Sequence, residues 1–589
     1  MTISRRDMLK TSGVAAALTA GVLTEPALAQ GEPPPPKWTH QADVVVVGSG
    51  ATGIPAAIVA REAGCSVIIV ETQPDIGGHA ICSGGNVPLG GGTSRQKKYG
   101  IADSPDLLFR DLTDWSVVEP NGFPDYRYND RELIRAFADH NVAAFDFLVA
   151  HGVVFIETPP DARGGNSVGN SVPRENHCAV MDWPMVQTGA PAEGMRNTTS
   201  SGNGLMRPLA AAARRAGVQI LLEHRMTHLF REQPFGGRVY GIAAEFRGAP
   251  VTIGARKAVI LGTGGSSSNV NFRRMFNPQL TEEYCGVAGQ PWSDQDASGE
   301  LAGLAVGASL WGLYNQTGEF GYNITKPGTI GSQYGYRNLQ WMPGSPVFDK
   351  ARATGLKVAN WQNLILVDMI GNRFYDETAG QYPANDYRSI EPYIQDSYLN
   401  ARHNQWNPSL FIDAAMAGIG DGHNGGGPIW AIFDADAAAR ERWEPQPPHV
   451  DVERGFFFAA GSLAELATKI QMNYQRVKMP PEALEATVTR YNGFVETGVD
   501  ADFGKPKPLY TLTKPPFYAA WATPVPHDTR AGLRINAKGQ VIDMAGEIIP
   551  GLYAGGECAG GFSQHGLARA ICQGYIAGGN AAREIPHRA

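Results

Sequence analysis

The sequence predicts an α/β fold: a parallel sheet flanked by helices and interrupted by a second, inserted domain. Three observations carry that prediction. Residues 43–71 spell strand, glycine-rich turn, helix and strand in one unit. Residues 258–265, AVILGTGG, are a further apolar run that ends on glycines. Between about 311 and 478 the strand–helix rhythm stops and aromatic residues become frequent. It resumes toward the C-terminus, where 541–556 read as strand, turn and strand.

The first thirty residues read as an export signal. Ser4-Arg5-Arg6-Asp7-Met8-Leu9-Lys10 is a twin-arginine signature, an apolar run follows at 14–23, and Ala27-Leu28-Ala29 is a small-residue cleavage site. The apolar run is too short for a permanent bilayer span. The expectation is a signal peptide over 1–29, cleaved near Ala29, and delivery to the periplasm. A Pro-rich linker over 30–42 follows, stiffened by Pro33 to Pro36.

The unit at 43–71 has a specific chemistry. Four valines make a buried strand, and Gly48, Gly50 and Gly53 follow in the order G-x-G-x-x-G. In that spacing the first glycine permits the tight turn, the second lets backbone approach a pyrophosphate, and the third lets the helix lie close on the strand. The helix N-terminus offers free N–H groups to phosphates. Glu71 ends the second strand, where a carboxylate accepts from ribose hydroxyls. The unit therefore predicts a Rossmann-like dinucleotide site.

Gly77, Gly78, Gly84 and Gly85 then crowd around His79 and Ser83, so backbone is expected to press against something flat or charged. Helices are expected over 105–115 and 130–150, and a short strand over 152–156. Residues 163–203 are rich in Gly, Asn, Ser and Pro and read as a long loop able to approach a substrate. A helix over 204–216 and strands at 219–222, 239–246 and 251–253 lead into 258–265. A helix follows Pro480, and a last helix runs over 567–582 with small residues toward the sheet. The expected domains are 43–310, an inserted 311–478 and a return at 479–589.

Composition narrows the function classes. The chain has 589 residues, 43% hydrophobic and 18% charged, with a net charge of −7, an ordinary globular make-up without a nucleic-acid-binding surface. None of its six cysteines forms C-x-x-C or the haem-attaching C-x-x-C-H. No metal is expected.

Taken together, these blocks resemble the flavoprotein family of soluble fumarate reductases, succinate dehydrogenase flavoprotein subunits and 3-ketosteroid dehydrogenases. The pieces run in the family's order over about 43–580. They are the first glycine motif with Glu71; Gly77-Gly78-His79 with Ser83-Gly84-Gly85; 217–229; 258–265; 296–303; Gly371-Asn372-Arg373-Phe374 with Glu377; and 549–561, IPGLYAGGECAGG. The resemblance implies a Rossmann-like FAD-binding domain interrupted by a mobile α+β capping domain, with substrate held between them on the flavin. It implies that Gly48, Gly50, Gly53 and Glu71 hold the ADP half of FAD, and that Gly77, Gly78, Ser83 and Gly84 line the flavin. Met226 would contact the adenine side, Thr263, Gly264 and Gly265 would pass the pyrophosphate, Asp296 belongs to the 296–303 block, and Glu557 would reach the ribityl chain. The N-terminus of the last helix, at Leu567 and Ala568, would face the flavin. His79 stands where succinate dehydrogenases carry a histidine bonded covalently to the flavin. Covalent FAD at His79 and a simple loop hydrogen bond are both open at this point.

The sequence departs from the fumarate reductase pattern at the reacting end. Those enzymes place a proton-donating arginine a few residues after R-F-x-x-E, where this chain has Gln381. Their N-R-L-G-G becomes Gly566-Leu567-Ala568-Arg569, and their H-H-T-M-G-G becomes His527-Asp528-Thr529-Arg530-Ala531-Gly532. Two opposed carboxylates require paired arginine forks, and these are largely missing. Ketosteroid dehydrogenases instead use a tyrosine to take a proton, and Tyr382 lies one residue from the aligned position. His527 and His565 are candidates to relay that proton or polarise a carbonyl, and Arg530 and Arg569 to bind an anionic substrate. The expected function is hydrogen removal or addition across a C–C bond next to a carbonyl, on a cyclic or aromatic small molecule, with hydride passing to or from flavin N5. The alternative is a terminal reductase of fumarate or urocanate type. Either needs an external electron carrier, such as a cytochrome or quinone.

Overall fold

The computed structural model describes residues 37–113, 129–161, 171–181, 201–276, 278, 280–312, 322–325, 327–336, 339–345, 347–378, 427–529, 531–562 and 566–587. The expected signal peptide lies outside them.

The centre is an eight-stranded sheet. The first strand, His40–Val47, pairs in parallel with Val67–Val70 on one side and Ala249–Leu261 on the other. Gln219–Leu221 extends the sheet in parallel beyond Val67–Val70, and Ile548–Ala554 extends it beyond Ala249–Leu261. Val44 to Val47 are buried on both faces, which is why the strand reads as an unbroken apolar run. Residues from nearly the two ends of the chain thus become neighbours: the return at 548–554 is a strand of the same sheet. The antiparallel pair His224–Gln233 and Gly236–Phe246 joins through Ala249–Leu261.

Small residues set the helix packing. In the first helix, Gly53–Glu62, and the last, Leu567–Ala582, a Cβ on Gly574 would lie 2.2 Å from Thr52 O and one on Gly578 2.4 Å from Ala56 O. Both contacts advance in the same direction, so the two helices run parallel. The last helix begins seven residues before Gly574, so its N-terminus projects about 10 Å beyond the start of the first. The last helix therefore begins over the carboxyl edge of the parallel strands.

The inserted domain is built on a four-stranded antiparallel sheet: Ile365–Val367, Trp430–Asp434, Phe517–Trp521 and Phe457–Ala460. Phe517–Trp521 is one of its two inner strands, and Leu484, Val488 and Tyr491 of helix Pro481–Thr497 belong to the same buried cluster. The inserted domain therefore continues to about 522, past the expected boundary at 479. Two apolar faces close on this sheet, one around Phe433 and Tyr518, the other around Trp430 and Trp521.

A buried ionic cluster ties this domain together. Arg373 grips Glu377 with Nε and Nη2 at 2.6 and 2.9 Å and reaches Asp500 at 2.7 Å. Lys505 lies 3.2 Å from Glu377. Burial pushes the Glu377 carboxyl up, but Arg373 and Lys505 outweigh it and hold it below its ordinary value.

The helices appear as Pro105–Thr113, Arg131–Ala150 and Asn203–Arg215. The strand expected over 152–156 is reduced to a single bridge, Phe155 to Cys178. Part of the long loop forms a strand, Glu175–His177, paired with Asn86–Pro88. No helix among the described residues is long and apolar enough to cross a membrane.

Candidate active site

The glycine loop after the first strand is shaped by backbone contacts on two sides and open space on the third. Gly48 has φ +96°, and a Cβ there would lie 2.2 Å from Gly262 O. A Cβ on Gly53 would lie 1.8 Å from Gly48 O. At Gly50 a Cβ would meet only Gly77 O, at 3.9 Å. Gly48 and Gly53 are thus required by the fold, whereas the space beside Gly50 is filled by nothing in the chain. Gly77 (φ +112°) and Gly78 (φ +48°) pass the same opening, and a Cβ on Gly78 would lie 3.6 Å from Gly50 Cα.

Glu71 stitches these loops together. Its Oε2 accepts from Ser49 N at 2.9 Å and Ser49 Oγ at 2.6 Å, and its Oε1 from Gln73 N at 2.9 Å. Ser49 Oγ accepts in turn from Gly77 N at 3.0 Å. Burial raises the Glu71 carboxyl, and the bonds from Ser49, Gln73 and Thr72 pull it back. The Glu71 carbonyl accepts from His224 N at 2.8 Å, which brings the strand carrying the buried Met226 beside it.

Thr263, Gly264 and Gly265 follow Ala249–Leu261. A Cβ on Gly265 would lie 2.2 Å from Thr529 Oγ1 and 3.1 Å from Glu557 Oε2. Thr529 Oγ1 also accepts from Ser266 N at 3.0 Å. Glu557 thereby reaches the glycine strand end, with its Oε1 3.9 Å from His79 Nδ1 and its Oε2 buried without a hydrogen-bond partner among the described residues. Asp296 stands just before helix Ser298–Ala305, accepts from Ser298 N at 3.0 Å, and pairs with Arg225. In the same helix Glu300 is fully buried, with neither carboxylate oxygen partnered among the described residues. Burial, with the nearby Asp296 and Glu557 charges, holds it well above the ordinary carboxylate range. Sequence reading missed Glu300. Its signal was the one acid inside SGELAGLA, a stretch otherwise composed for close packing.

Ser83 is a turn residue: its Oγ donates to Ala80 O at 2.8 Å and accepts from Gly85 N at 3.2 Å, next to Gly84. Gly566, with φ +97°, opens the last helix at the buried Leu567 and Ala568.

The expected reacting residues fare differently. Tyr382, Arg530 and His565 lie outside the described residues, as does the side chain of His527, whose backbone belongs to strand Val525–Thr529. Arg569 is corrected. It is buried, and its guanidinium donates to Phe562 O, Gly556 O and Ala559 O at 2.7, 2.6 and 2.8 Å. It clamps the 556–562 loop instead of presenting a charge to substrate. Trp341 and Trp361, within the aromatic-rich 311–478 stretch, are buried in the cores. Asp161, Glu175 and His177 bring ligand-type atoms within 4.8 Å of one another, with His177 Nε2 3.1 Å from Asp161 Oδ2.

The arrangement is an elongated cradle of glycine backbone with one carboxylate at its ribose end and buried, unpartnered acid oxygens further along. The open space at Gly50 fits the close approach of a phosphate-bridged ligand, and the orphaned acceptor oxygens of Glu557 and Glu300 call for hydroxyl donors such as those of its sugar portions. Comparison with known proteins identifies it: the family described as FAD binding domain matches residues 43–570. The chain belongs to that family. It is an FAD-dependent oxidoreductase of the type that includes ketosteroid dehydrogenases and fumarate and urocanate reductases. It is 27% identical to a 3-oxosteroid 1-dehydrogenase of Mycolicibacterium smegmatis, over 87% of this chain and 91% of that protein. It is 26% identical to a fumarate reductase (cytochrome) of Shewanella frigidimarina, over 92% of this chain and 75% of that protein. In fold it is similar to a 3-ketosteroid delta1-dehydrogenase from Sterolibacterium denitrificans, with a TM-score of 0.60 at 20% identity, covering 92% of this chain and 100% of that one. The FAD-binding domain interrupted by a capping domain is thus the fold of the chain.

Proposed function

We propose that this protein is an exported dehydrogenase that desaturates a C–C bond next to a carbonyl in a cyclic or aromatic substrate. The observation that carries the reading is the match to a 3-oxosteroid 1-dehydrogenase over 91% of that protein's length, while a quarter of the fumarate reductase lies outside its match. The missing arginines support it further. Gln381 replaces the proton-donating arginine, and Arg569, the residue nearest the family's carboxylate clamp, is turned onto backbone carbonyls.

When bound, FAD supplies the N5 position that accepts or gives hydride. The chain's own residues do the rest. Gly48 to Gly53, Gly77, Gly78 and Thr263 to Gly265 bind and orient the dinucleotide, and Glu557 and Glu300 line it. Tyr382 Oη takes the proton from the carbon next to the carbonyl. A tyrosine has an ordinary pKa of about 10, so it needs His527 or His565 to relay the proton or polarise the carbonyl. Arg530 serves a substrate that carries one negative charge. The twin-arginine sequence at 4–10 supports folding with FAD in the cytoplasm before export to the periplasm. Electrons then leave through an external cytochrome, quinone or similar acceptor.

An anaerobic titration followed by visible absorbance tests the reading. Oxidised protein mixed with cyclic ketones is expected to bleach. Failure to bleach, with recolouring of dithionite-reduced protein by fumarate or urocanate, would transfer the assignment to the reductase.

A further inference from the structure

We propose that the amino edge of the parallel sheet is a docking face for an anionic lipid surface. The direction of the fold builds this face. Helices Gly53–Glu62, Asn203–Arg215 and Leu567–Ala582 run back against the strands, so their C-terminal ends gather where those strands begin. They bring Arg61, Arg214, Arg215 and Arg583 to that edge. Lys257 joins them from strand Ala249–Leu261.

Hydrogen bonds show that these elements form one continuous ridge. Arg61 Nε donates to Ala216 O at 2.8 Å, and its Nη1 to Cys65 O at 3.0 Å. Lys257 Nζ donates to Ala582 O at 2.6 Å, and Cys65 Sγ lies 3.8 Å from the same carbonyl. The charge of the ridge is not neutralised. Arg61 and Lys257 spend these donors on carbonyls, and Arg583 reaches only the Asn580 amide, at 3.4 Å. Arg214, Arg215 and Arg583 are exposed. None of the five has a carboxylate partner among the described residues. The acids beside them face other groups: Asp43 pairs with Arg256 at 2.9 Å, Glu584 with Arg238 at 3.0 Å, Glu62 with His151 at 2.9 Å and Glu232 with His587 at 3.0 Å. Such a local excess of cations, on a chain of net charge −7, attracts an anionic partner to this edge.

Two observations select lipid as that partner. Ile585, close behind Arg583, is 79% exposed, and cations around an exposed aliphatic side chain suit a bilayer interface. The chain also enters the fold here. Lys37 O accepts from Thr252 Oγ1 at 2.8 Å, in the strand that carries Arg256 and Lys257, and residues 1–36 before it include the apolar run at 14–23. A bilayer that takes up that run meets the ridge. Distance argues against an acidic electron carrier. The glycine cradle lies at the other end of the strands, beyond Val47 and Leu261, and strand His40–Val47 spans roughly 25 Å. A carrier on the ridge would sit a strand's length from the cofactor, whereas a bilayer there leaves the cradle open on the far side. The proposal is independent of the reaction and the export proposed above.

Co-sedimentation of the full FAD-loaded chain with vesicles tests this. The wild type is expected to bind phosphatidylcholine vesicles containing phosphatidylglycerol more tightly than phosphatidylcholine alone, and to lose that preference as salt rises. Each cation near an anionic surface is worth a factor of about five, so R214Q/R215Q/R583Q should bind the anionic vesicles roughly 100-fold more weakly. Its binding to phosphatidylcholine alone, which reports the apolar run, should stay unchanged. Cations also stabilise helix C-termini, so R214K/R215K/R583K serves as the charge-conserving control and should bind like the wild type. A glutamine variant that keeps wild-type binding, or a lysine variant that loses it, overturns the proposal. A wild type indifferent to lipid charge also overturns it, and if that protein is retained by polyglutamate the ridge passes to an acidic protein partner.

Discussion

The three glycines of the first loop do different work, because their surroundings differ. Ala at Gly50 puts a methyl group into space where the nearest atom of the described chain is Gly77 O at 3.9 Å, and the backbone at Gly50 does not have positive φ. The apoprotein should not notice. Its stability is expected to stay within about 0.5 kcal/mol, or to rise slightly from the lost flexibility of the unfolded chain. The methyl group does, however, occupy the approach of the dinucleotide backbone. Overfilling a packed site costs about 1–3 kcal/mol, which corresponds to a loss of roughly 5–150-fold in FAD affinity. Gly53→Ala behaves differently. Its Cβ would lie 1.8 Å from Gly48 O, 2.9 Å from Gly48 C and 3.2 Å from Val46 Cγ1, so strand and helix must separate. This variant should lose at least about 2 kcal/mol in the apo state. Urea unfolding of the apoproteins, with FAD titrations followed by quenching of flavin fluorescence, measures both quantities. Gly50→Ala that unfolds like Gly53→Ala, or that binds FAD like the wild type, would refute the claim that the open side of this loop is the dinucleotide's.

Glu377→Gln removes the shared partner of Arg373 and Lys505 and should cost about 3–5 kcal/mol in urea unfolding, because it leaves buried positive charge uncompensated. Glu377 is held below its ordinary value of 4.5, so its contribution is present above that pH and is lost as pH falls; the variant should show a shallower acid-side decline. Glu300 has the opposite sign. Raised well above 4.5, it favours the folded state at low pH and loses that benefit as pH rises. Glu300→Gln should match the wild-type apoprotein at pH 4.5 and exceed it at pH 8 in thermal melts, and equal pH slopes would count against a buried, unpartnered acid. Tyr382→Phe should slow anaerobic bleaching by ketone about 10²–10⁴-fold with FAD content unchanged; a rate near wild type removes Tyr382 from proton transfer.

What the sequence made legible was local backbone chemistry. The valine run, the G-x-G-x-x-G turn and the terminal acid lie within thirty residues, and their meaning follows from φ angles and strand burial that neighbours impose on each other. The last helix was legible for the same reason, since Gly574 and Gly578 announce a close neighbour without saying which one. Side-chain pairing was not legible, because it joins residues that only the fold brings together. Gln295 is 216 positions from His79, and Thr529 is 263 from Ser266. The same limit explains two of the corrections. Phe517–Trp521 looks like any apolar strand, and its membership of the inserted sheet depends on pairing with Trp430–Asp434. Arg569 occupies the place of a substrate clamp in the motif, yet a guanidinium binds whatever acceptors surround it, and here those are three carbonyls of its own loop. A charged residue in a familiar place is therefore weak grounds for a role until its acceptors are known.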